Sequence, residues 1–350
     1  MEIDHFEKGE VMKNTIINYL ETAGMSWLVP VVRLTTGENP REQLSELFNS
    51  IGLPLIALIT FLIIWAGAAS QVKTSLGVLP GPVAVWDQAG NLWQEYKQER
   101  AKEHAFYGRQ EARNKKELEK NPDAEVRIRD YTGRVTFVDQ IWTSLITVFT
   151  GFLIASLIAI PIGVVCGLNR TLYGAISPLI QIFKPVSPLA WLPIVTMVVS
   201  AVYVSDNPIF EKSFINSAIT VTLCSLWPTL INTAMAVSSI DRDLINVGRV
   251  IRLNWPTQIF KIAIPAALPL IFTGLRISLG IGWMVLIAAE MLAQNPGLGK
   301  FVWDEFQNGS SDSLARIMVA VLTIGMIGFM LDWIMIALQR SFSHDKNSAH

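Results

Sequence analysis

Charge is scarce in this chain. Asp, Glu, Lys and Arg make up only 16% of its 350 residues, whereas 51% of the residues are hydrophobic and the mean hydropathy is +0.39. Such a balance lies outside the range of ordinary soluble domains. The formal net charge of −1 and the lack of a basic motif argue against a nucleic-acid partner.

Side chains that carry chemistry are few as well. The two cysteines, Cys166 and Cys224, both fall inside apolar runs, where burial as small side chains is expected rather than a disulfide. The four histidines are scattered through polar segments, and no Cys or His spacing suits a metal. No G-x-x-x-x-G-K-[ST] phosphate loop occurs, and nothing suggests nucleophilic or acid-base chemistry. The sequence predicts a chain that is not an enzyme, binds no cofactor and has no ATPase site.

Long apolar runs dominate instead, and six of them could cross ~30 Å of hydrocarbon. They lie at residues 51–69, between Asp139 and Arg170, at about 175–204, between Lys212 and Asp241, at about 266–289 and at about 314–338. The predicted fold class is therefore an all-α integral membrane protein with six transmembrane helices. Residues 1–50 carry no signal peptide, and the amphipathic stretch at 15–32 is expected to form an interfacial helix.

Basic residues in the short loops predict the orientation. One set of loops contains Arg170, Arg242, Arg249, Arg252, Lys261, Arg340 and Lys346, and the opposite set contains only Lys212, Lys300 and Arg316. By the positive-inside rule both termini are cytoplasmic, and the insertion at about 71–136 lies outside despite its many charges. Within it, residues 92–120 read as a polar helix ended by Asn121-Pro122-Asp123. This helix is either a solvated insertion or a docking surface for an external solute-binding protein.

A polar segment from Ser238 to Pro269 separates two of the apolar runs. Ser238 and Asp241 have the spacing of a capping box at the start of a first helix. Asn254-Trp255-Pro256 breaks that helix and begins a second, whose far end is marked by Pro265 and Pro269. A polar elbow of this kind cannot lie in lipid.

The spacing of the elbow resembles the EAA loop of ABC importer permeases. The motif falls on Asn246-Val247-Gly248, then Arg252, and then Ile262, Ile264 and Pro265. The spacing is kept, but Asn, Val and Gly replace the Glu-Ala-Ala triplet, and Arg252 stands where glycine is usual. Further motifs resemble the nitrate, sulfonate and taurine branch: Pro178-Leu179-Ile180, Pro188 to Pro193, Leu268-Pro269, Gly274-Leu275-Arg276, Ala289-Glu290 and Gly297-Leu298-Gly299.

This resemblance implies a type I importer (MetI-like) permease fold in the cell inner membrane. Two copies would form the pathway, a periplasmic or lipid-anchored binding protein would deliver an anion, and cytoplasmic ATPase subunits would hold ATP and Mg. The insertion and elbow are most similar to cyanobacterial-type nitrate and nitrite permeases, with bicarbonate and cyanate relatives close and sulfonate carriers further off. Residues 51–340 would be the permease domain, 238–265 the coupling loop and 341–350 a cytoplasmic tail. Contact with the ATPase is expected from Asp243, Asn246, Val247, Gly248, Arg249, Arg252, Asn254, Trp255 and Pro265.

Polar groups at membrane depth are the candidates for the pathway, because they are costly unless they face a cavity or a partner. Arg276 is either a fixed cation for the anion, or a structural residue that pairs with Asp332 or caps carbonyls between helices. Lys184 lies either at the cytoplasmic mouth or snorkels toward headgroups. Prolines interrupt the third run, so Ser187, Trp191, Thr196 and, more weakly, Asn232 are expected to line the pathway unless the prolines merely bend a packed helix. Glu290 is expected either at an external gate or in solvent.

A second hypothesis of a different class is a stand-alone secondary transporter with a proton relay through Glu290, Asp332 and Arg276. No inverted repeat is visible in the sequence, and the polar elbow would then have no purpose.

Overall fold

The computed structural model of the chain is built from helices. It describes residues 15–17, 20, 26–35, 39–74, 77–121, 126, 128–204, 209–241, 243, 250, 252–310 and 312–342. The helices are α1 Val29–Thr35, α2 Pro40–Leu47, α3 Leu53–Ala69, α4 Pro82–Lys120, α5 Phe137–Leu168, α6 Arg170–Phe183, α7 Pro188–Val202, α8 Lys212–Ser238, α9 Trp255–Gln258, α10 Ile264–Ala293, α11 Leu298–Asn308 and α12 Ser313–Phe342.

Among the described residues, the apolar helices match five of the six predicted crossings, and a bent pair of helices lies where the third is expected. Five helical segments are long and apolar enough to span a membrane, at Pro40–Ala69, Phe137–Leu168, Lys212–Ser238, Pro256–Ala293 and Ser313–Phe342. The third predicted crossing is the pair α6 and α7, which is bent by 99° at its break. Pro185 and Pro188 lie at this break and remove backbone donors there, which explains why one straight helix does not form.

Helix α8 is the centre of the bundle, and small residues bring α5 against it. Gly151, Gly163 and Gly167 share one face of α5, with Ala155 and Ala159 between them. A Cβ atom added to these three glycines would lie 2.7, 2.9 and 2.6 Å from carbonyl oxygens of α8. The two backbones are therefore in direct contact, as in small-xxx-small packing of membrane helices.

Helix α10 packs on α8 through a second small-residue stripe. Gly274, Ser278 and Gly282 recur at four-residue spacing and are all buried. A Cβ atom on Gly274 would lie 2.7 Å from the Cβ of Asn232, and one on Gly282 would lie 3.3 Å from Val221. Close backbone approach thus holds α8 between α5 and α10.

The insertion contains a two-stranded hairpin, Lys73–Thr74 paired antiparallel with Gly77–Val78, followed by α4. Helix α4 starts at Pro82, ten residues before the polar run that the sequence indicated, because Pro82 suits a first helical turn. It ends at Lys120, as predicted. Val85 and Leu92 are buried against the bundle, so the first turns of α4 have an apolar face ahead of the polar run.

An extended segment returns from the insertion along α4 to the start of α5. Gln110 bonds the backbone of Arg129 through both ends of its amide, at 2.9 and 3.3 Å. Glu99 accepts hydrogen bonds from the Tyr131 hydroxyl at 2.8 Å and from the Arg134 backbone at 3.0 Å. We call the segment 128–136 with its partners on α4 the clasp.

The elbow differs from its predicted form in two respects. Ser238 is not a helix N-cap: it is the last residue of α8, and its hydroxyl donates to the Met235 carbonyl at 2.9 Å. The Asp241 carboxylate accepts from the Asp243 N–H at 3.0 Å.

The second elbow helix does not end at Pro265 or Pro269. A π-helical turn at Ile259–Ala263 joins α9 to α10, and the helix runs on to Ala293. The wide π turn puts the hydrogen-bond ladder out of register just before Pro265, so the missing N–H is tolerated there.

Both cysteines lie in the bundle as expected and carry free thiols. Cys166 is buried, whereas Cys224 is half-buried.

Candidate functional site

Arg276 of α10 and Asp332 of α12 form a two-pronged ion pair. The Arg276 Nη2 donates to Asp332 Oδ2 at 2.8 Å, and its Nε donates to Oδ1. The structure therefore realises the pairing alternative rather than a free cation. Both side chains remain accessible in the single subunit, with 41% and 43% of their surface exposed.

A cavity of about 220 Å³ opens at this pair. Gly280 and Gly328 line it, and a Cβ atom on Gly280 would meet nothing within 4 Å. The third wall is Trp283, whose indole N–H donates to the Ile324 carbonyl at 3.0 Å and is thereby fixed. Because an exposed ion pair between apolar helices is costly in lipid, this face is suited to a water-filled path or to a second subunit.

A side chain of α10 bridges the backbone of α8 beside Pro228, a proline inside that helix. Ser278 accepts from the Thr229 N–H at 3.1 Å and donates to the Ser225 carbonyl at 2.6 Å. The Thr229 hydroxyl lies 2.7 Å from Ser278 Oγ and donates to it, since the Ser278 proton is used on Ser225. Asn232 is half-buried, donates to the Pro228 carbonyl at 2.8 Å and contacts Gly274, so both Thr229 and Asn232 belong to the helix contact in this conformation.

The break between α6 and α7 holds the other predicted pathway residues. Lys184 is exposed directly after α6, and Ser187 caps α7 by accepting from the Leu189 N–H at 3.3 Å. Trp191 is half-buried beside Phe183, with ring centroids 5.8 Å apart, and its buried indole N–H has no partner among the described residues. Thr196 is half-buried on the same helix.

Glu290 is buried completely, so its expected exposure to solvent is wrong. Its carboxylate accepts from Ser144 Oγ, at 2.8 and 2.9 Å to the two oxygens, and from the Gly299 N–H at 2.9 Å. Ser144 in turn accepts from the Leu298 N–H at 2.9 Å. A Cβ atom on Gly297 would lie 2.1 Å from Glu290 Oε1, so a larger residue there would push the carboxylate away from Ser144 and Gly299. Glu290 thus ties the first turn of α11 to α5 and α10.

The elbow has a left-handed residue where the sequence departs from the EAA pattern. Arg252 has φ of 54°, a conformation that favours glycine. Asn254 then caps α9 by accepting from the Thr257 N–H at 3.2 Å, Trp255 begins that helix, and Pro265 lies in the first turn of α10. The predicted contacts Asn246, Val247, Gly248 and Arg249 lie outside the described residues.

Comparisons with known proteins agree with this architecture. Residues 159–344 match the family described as "Binding-protein-dependent transport system inner membrane component". The bicarbonate transport system permease protein CmpB of Synechococcus elongatus is 34% identical over 295 residues, which are 83% of this chain and 89% of that protein. The chain belongs to this family.

Two further comparisons concern a second relative and the fold. The nitrate import permease protein NrtB of Synechococcus elongatus is 36% identical to this permease over 193 residues, 55% of this chain and 65% of that protein. The MetNI methionine ABC transporter in an inward-facing conformation aligns with a TM-score of 0.50 and 16% identity, covering 59% of this chain and 95% of that one. The second likeness shows the fold alone. The predicted family and the all-α, MetI-like permease fold are confirmed.

Sequence reasoning missed three positions in this permease. Ser278 lies four residues from Gly274 and Gly282, and that spacing indicates a packed helix face. Ser144 and Glu99 are separated from their partners by 146 and up to 35 residues along the chain. No local pattern could have paired them.

Proposed function

We propose that this permease subunit imports a small inorganic anion, with nitrate or nitrite as the leading substrate, and that two copies line the pathway. The Arg276–Asp332 pair supports this proposal, because it is the accessible charge between the apolar helices α10 and α12. Bicarbonate, cyanate and sulfonates such as taurine are the alternatives for the same machinery.

The guanidinium has donors to spare for an anion. Asp332 uses Nε and one N–H of Nη2, which leaves Nη1 and the second Nη2 proton for a ligand. Nitrate and bicarbonate, named in the two relatives, are both planar oxyanions, and a planar fork binds such oxygens in pairs. An anion passing through the cavity would share the Arg276 guanidinium with Asp332 or displace Asp332 from it. This competition would keep the binding of the anion weak enough for its release. Lys184, Ser187, Trp191, Thr196 and Asn232 are proposed to border the remainder of the path.

Coupling is proposed to run through the elbow to cytoplasmic ATPase subunits, which hold ATP and Mg while this chain holds neither. The helix from Trp255 to Ala293 joins the elbow to Arg276, about 32 Å along its axis. ATP binding would close the ATPase pair, draw two elbows together and open the pathway outward, and hydrolysis would reverse this. Both termini are cytoplasmic in this proposal, and a periplasmic or lipid-anchored binding protein delivers the anion.

The geometry does not favour a stand-alone proton relay. Glu290 and Arg276 lie 14 residues apart on α10, about 21 Å along the axis. The Glu290 carboxylate is committed to Ser144 and Gly299, and buried Leu286, Gly282 and Leu279 lie between the two sites.

Purification of the complex tests the proposal. We expect ATPase subunits to copurify, and ATP hydrolysis in proteoliposomes to rise when the binding protein loaded with nitrate or nitrite is added. Parallel assays with bicarbonate, cyanate and taurine assign the substrate. Uptake by this chain alone, without an ATPase, would contradict the proposal.

A further inference from the structure

A stripe of large apolar side chains lies exposed on the first turns of α4. Val83, Trp86 and Trp93 are 74%, 80% and 50% exposed, and they share one helix face with Gly90 between them. The opposite face is buried through Val85 and Leu92. Two exposed tryptophans on one face call for a partner, since contiguous exposed apolar surface marks an interaction site.

The clasp shows on which side of the membrane boundary this stripe lies. The chain runs from Arg129 and Tyr131 in the clasp to Asp139 in the first turn of α5. Along this path its partners on α4 change from Gln110 to Glu99 and then Arg100. The chain thus approaches the membrane helix α5 while the residue numbers on α4 fall. Residues of α4 before about 95 therefore lie toward the membrane, and residues beyond about 100 lie away from it.

A second set of contacts gives the same direction. Glu95 forms an ion pair with Arg316, which is the fourth residue of α12. Val85 and Leu92 belong to the same apolar cluster as Val319 and Ala320 of α12, with Trp65 of α3 packed against that cluster. Trp86 lies nine residues before Glu95, about 14 Å along the helix axis on the membrane side.

We propose that residues 82–93 of α4 lie in the outer-leaflet interface of the bilayer and that lipid covers the stripe. Tryptophan is enriched at this depth, where its ring is partly apolar and its N–H remains in polar surroundings. Asp87 and Gln94 border the stripe, which suits headgroup depth rather than the hydrocarbon centre. Lys97 follows one turn after Trp93, with its Nζ 5.7 Å from that ring, and is placed to reach lipid phosphate. The aqueous part of the insertion then begins near Glu95 rather than at residue 71.

Site-specific photocrosslinking identifies the occupant directly. A benzophenone amino acid replaces Trp86 or Trp93 in the full chain, assembled with its ATPase in nanodiscs. Matched controls carry it at Glu111 or Lys115, which are exposed on the far half of the same helix. Because the probe replaces an exposed side chain at each position, folding is retained, and the size-exclusion profile checks this.

We expect roughly fivefold or more lipid-mass adduct at Trp86 and Trp93 compared with the two controls, since only the stripe reaches the interface. The crosslinking is run with and without the added binding protein, and an adduct with a second copy of the chain or with that protein would overturn the proposal. So would equal lipid yield at all four positions, or none at the stripe. Transport is not measured here, so the result is independent of the proposed substrate.

Discussion

Arg276 carries a charge that Asp332 already neutralises, and this fact separates two roles for the pair. If the pair only joins α10 to α12, removing either member should impair the protein alike. If an anion competes with Asp332 for the guanidinium, the two removals should act in opposite directions.

We expect Arg276→Ala to reduce anion uptake at least tenfold, because the pathway loses its cation and Asp332 is left unpaired at a cost of about 2.5–3.5 kcal/mol. Asp332→Asn should keep anion uptake and lower the anion concentration that half-maximally stimulates ATP hydrolysis. The reason is that the Arg276 guanidinium is then free to bind the anion. The measurement is anion uptake and stimulated hydrolysis in proteoliposomes. Equal loss in both variants would assign the pair a purely structural role.

Glu290 and Gly297 lie in direct contact where α10 meets α11. Gly297→Ala should lower stability by roughly 1–3 kcal/mol, because the new methyl group would overlap the buried carboxylate. Thermal unfolding of the detergent-solubilised chain measures the loss. Gly280→Ala is the matched control: its added Cβ meets nothing within 4 Å, so its melting temperature should not fall. A similar drop in both variants would contradict the assignment.

Ser278 of α10 bridges the Ser225 carbonyl and the Thr229 N–H of α8, the two backbone groups beside Pro228. Ser278→Ala leaves the Ser225 carbonyl and the Thr229 N–H unpaired, and should cost roughly 1–3 kcal/mol. In combination with Pro228→Ala, which restores the backbone donor of α8, the loss should be smaller than the sum of the two single changes. Thr60→Ala is the control, since that hydroxyl bonds only a carbonyl of its own helix. If the losses in the free energy of unfolding were strictly additive, Ser278 would not compensate for Pro228.

The stability of the clasp is expected to fall at both low and high pH. The Tyr131 hydroxyl first, then Lys102 and the Arg134 N–H, lower the pKa of Glu99 below its ordinary value of 4.5. A lowered folded pKa stabilises the clasp above the ordinary value, and that stabilisation disappears as pH falls through the folded value. The bond to Glu99 raises the pKa of Tyr131, so the same contact holds until pH rises through the raised value.

Hydrogen exchange at the amides of Tyr131 and Arg134 reports this dependence. Protection should fall below pH 4.5 in the native chain, whereas Glu99→Gln should show weaker protection with no acid step. An acid step that persists in the variant would place the titrating group elsewhere.

At the scale of elements, sequence predicted the crossings and the proline break well. Charge-free length and proline position are local properties, and both survive folding. Prediction from sequence was wrong where the local geometry depends on a neighbouring segment. Pro265 reads as a stop signal, but the π turn before it lets the helix continue, and Ser238 has the letters of a cap while ending a helix instead. The sequence shows Arg276 as a charge in an apolar run, but it does not decide between a free cation and a pair with Asp332.

For the molecule as a whole, the proposed coupling to an ATPase depends on the backbone and charge of the elbow at Arg252. Arg252 adopts a left-handed backbone at a cost of roughly 1–2 kcal/mol, which glycine would avoid. Arg252→Gly should therefore relieve strain while deleting the side chain, and Arg252→Glu should keep the strain while reversing the charge.

We expect Arg252→Glu to uncouple hydrolysis from uptake, raising the ATP spent per anion severalfold, because the reversed charge would face the ATPase. Arg252→Gly should retain most of the coupling if backbone shape dominates the contact. The ratio of phosphate released to anion accumulated is the measurement. Unchanged coupling in Arg252→Glu would remove this residue from the ATPase contact.

The glycine faces on both sides of α8 have a mechanical consequence. The glycines leave little deformable side-chain material between these helices, so we expect α5, α8 and α10 to tilt as one unit. A displacement that the proposed ATPase applies beside Ser238, the last residue of α8, would then reach the outer ends of all three helices, so its amplitude would be kept over the full thickness of the bilayer.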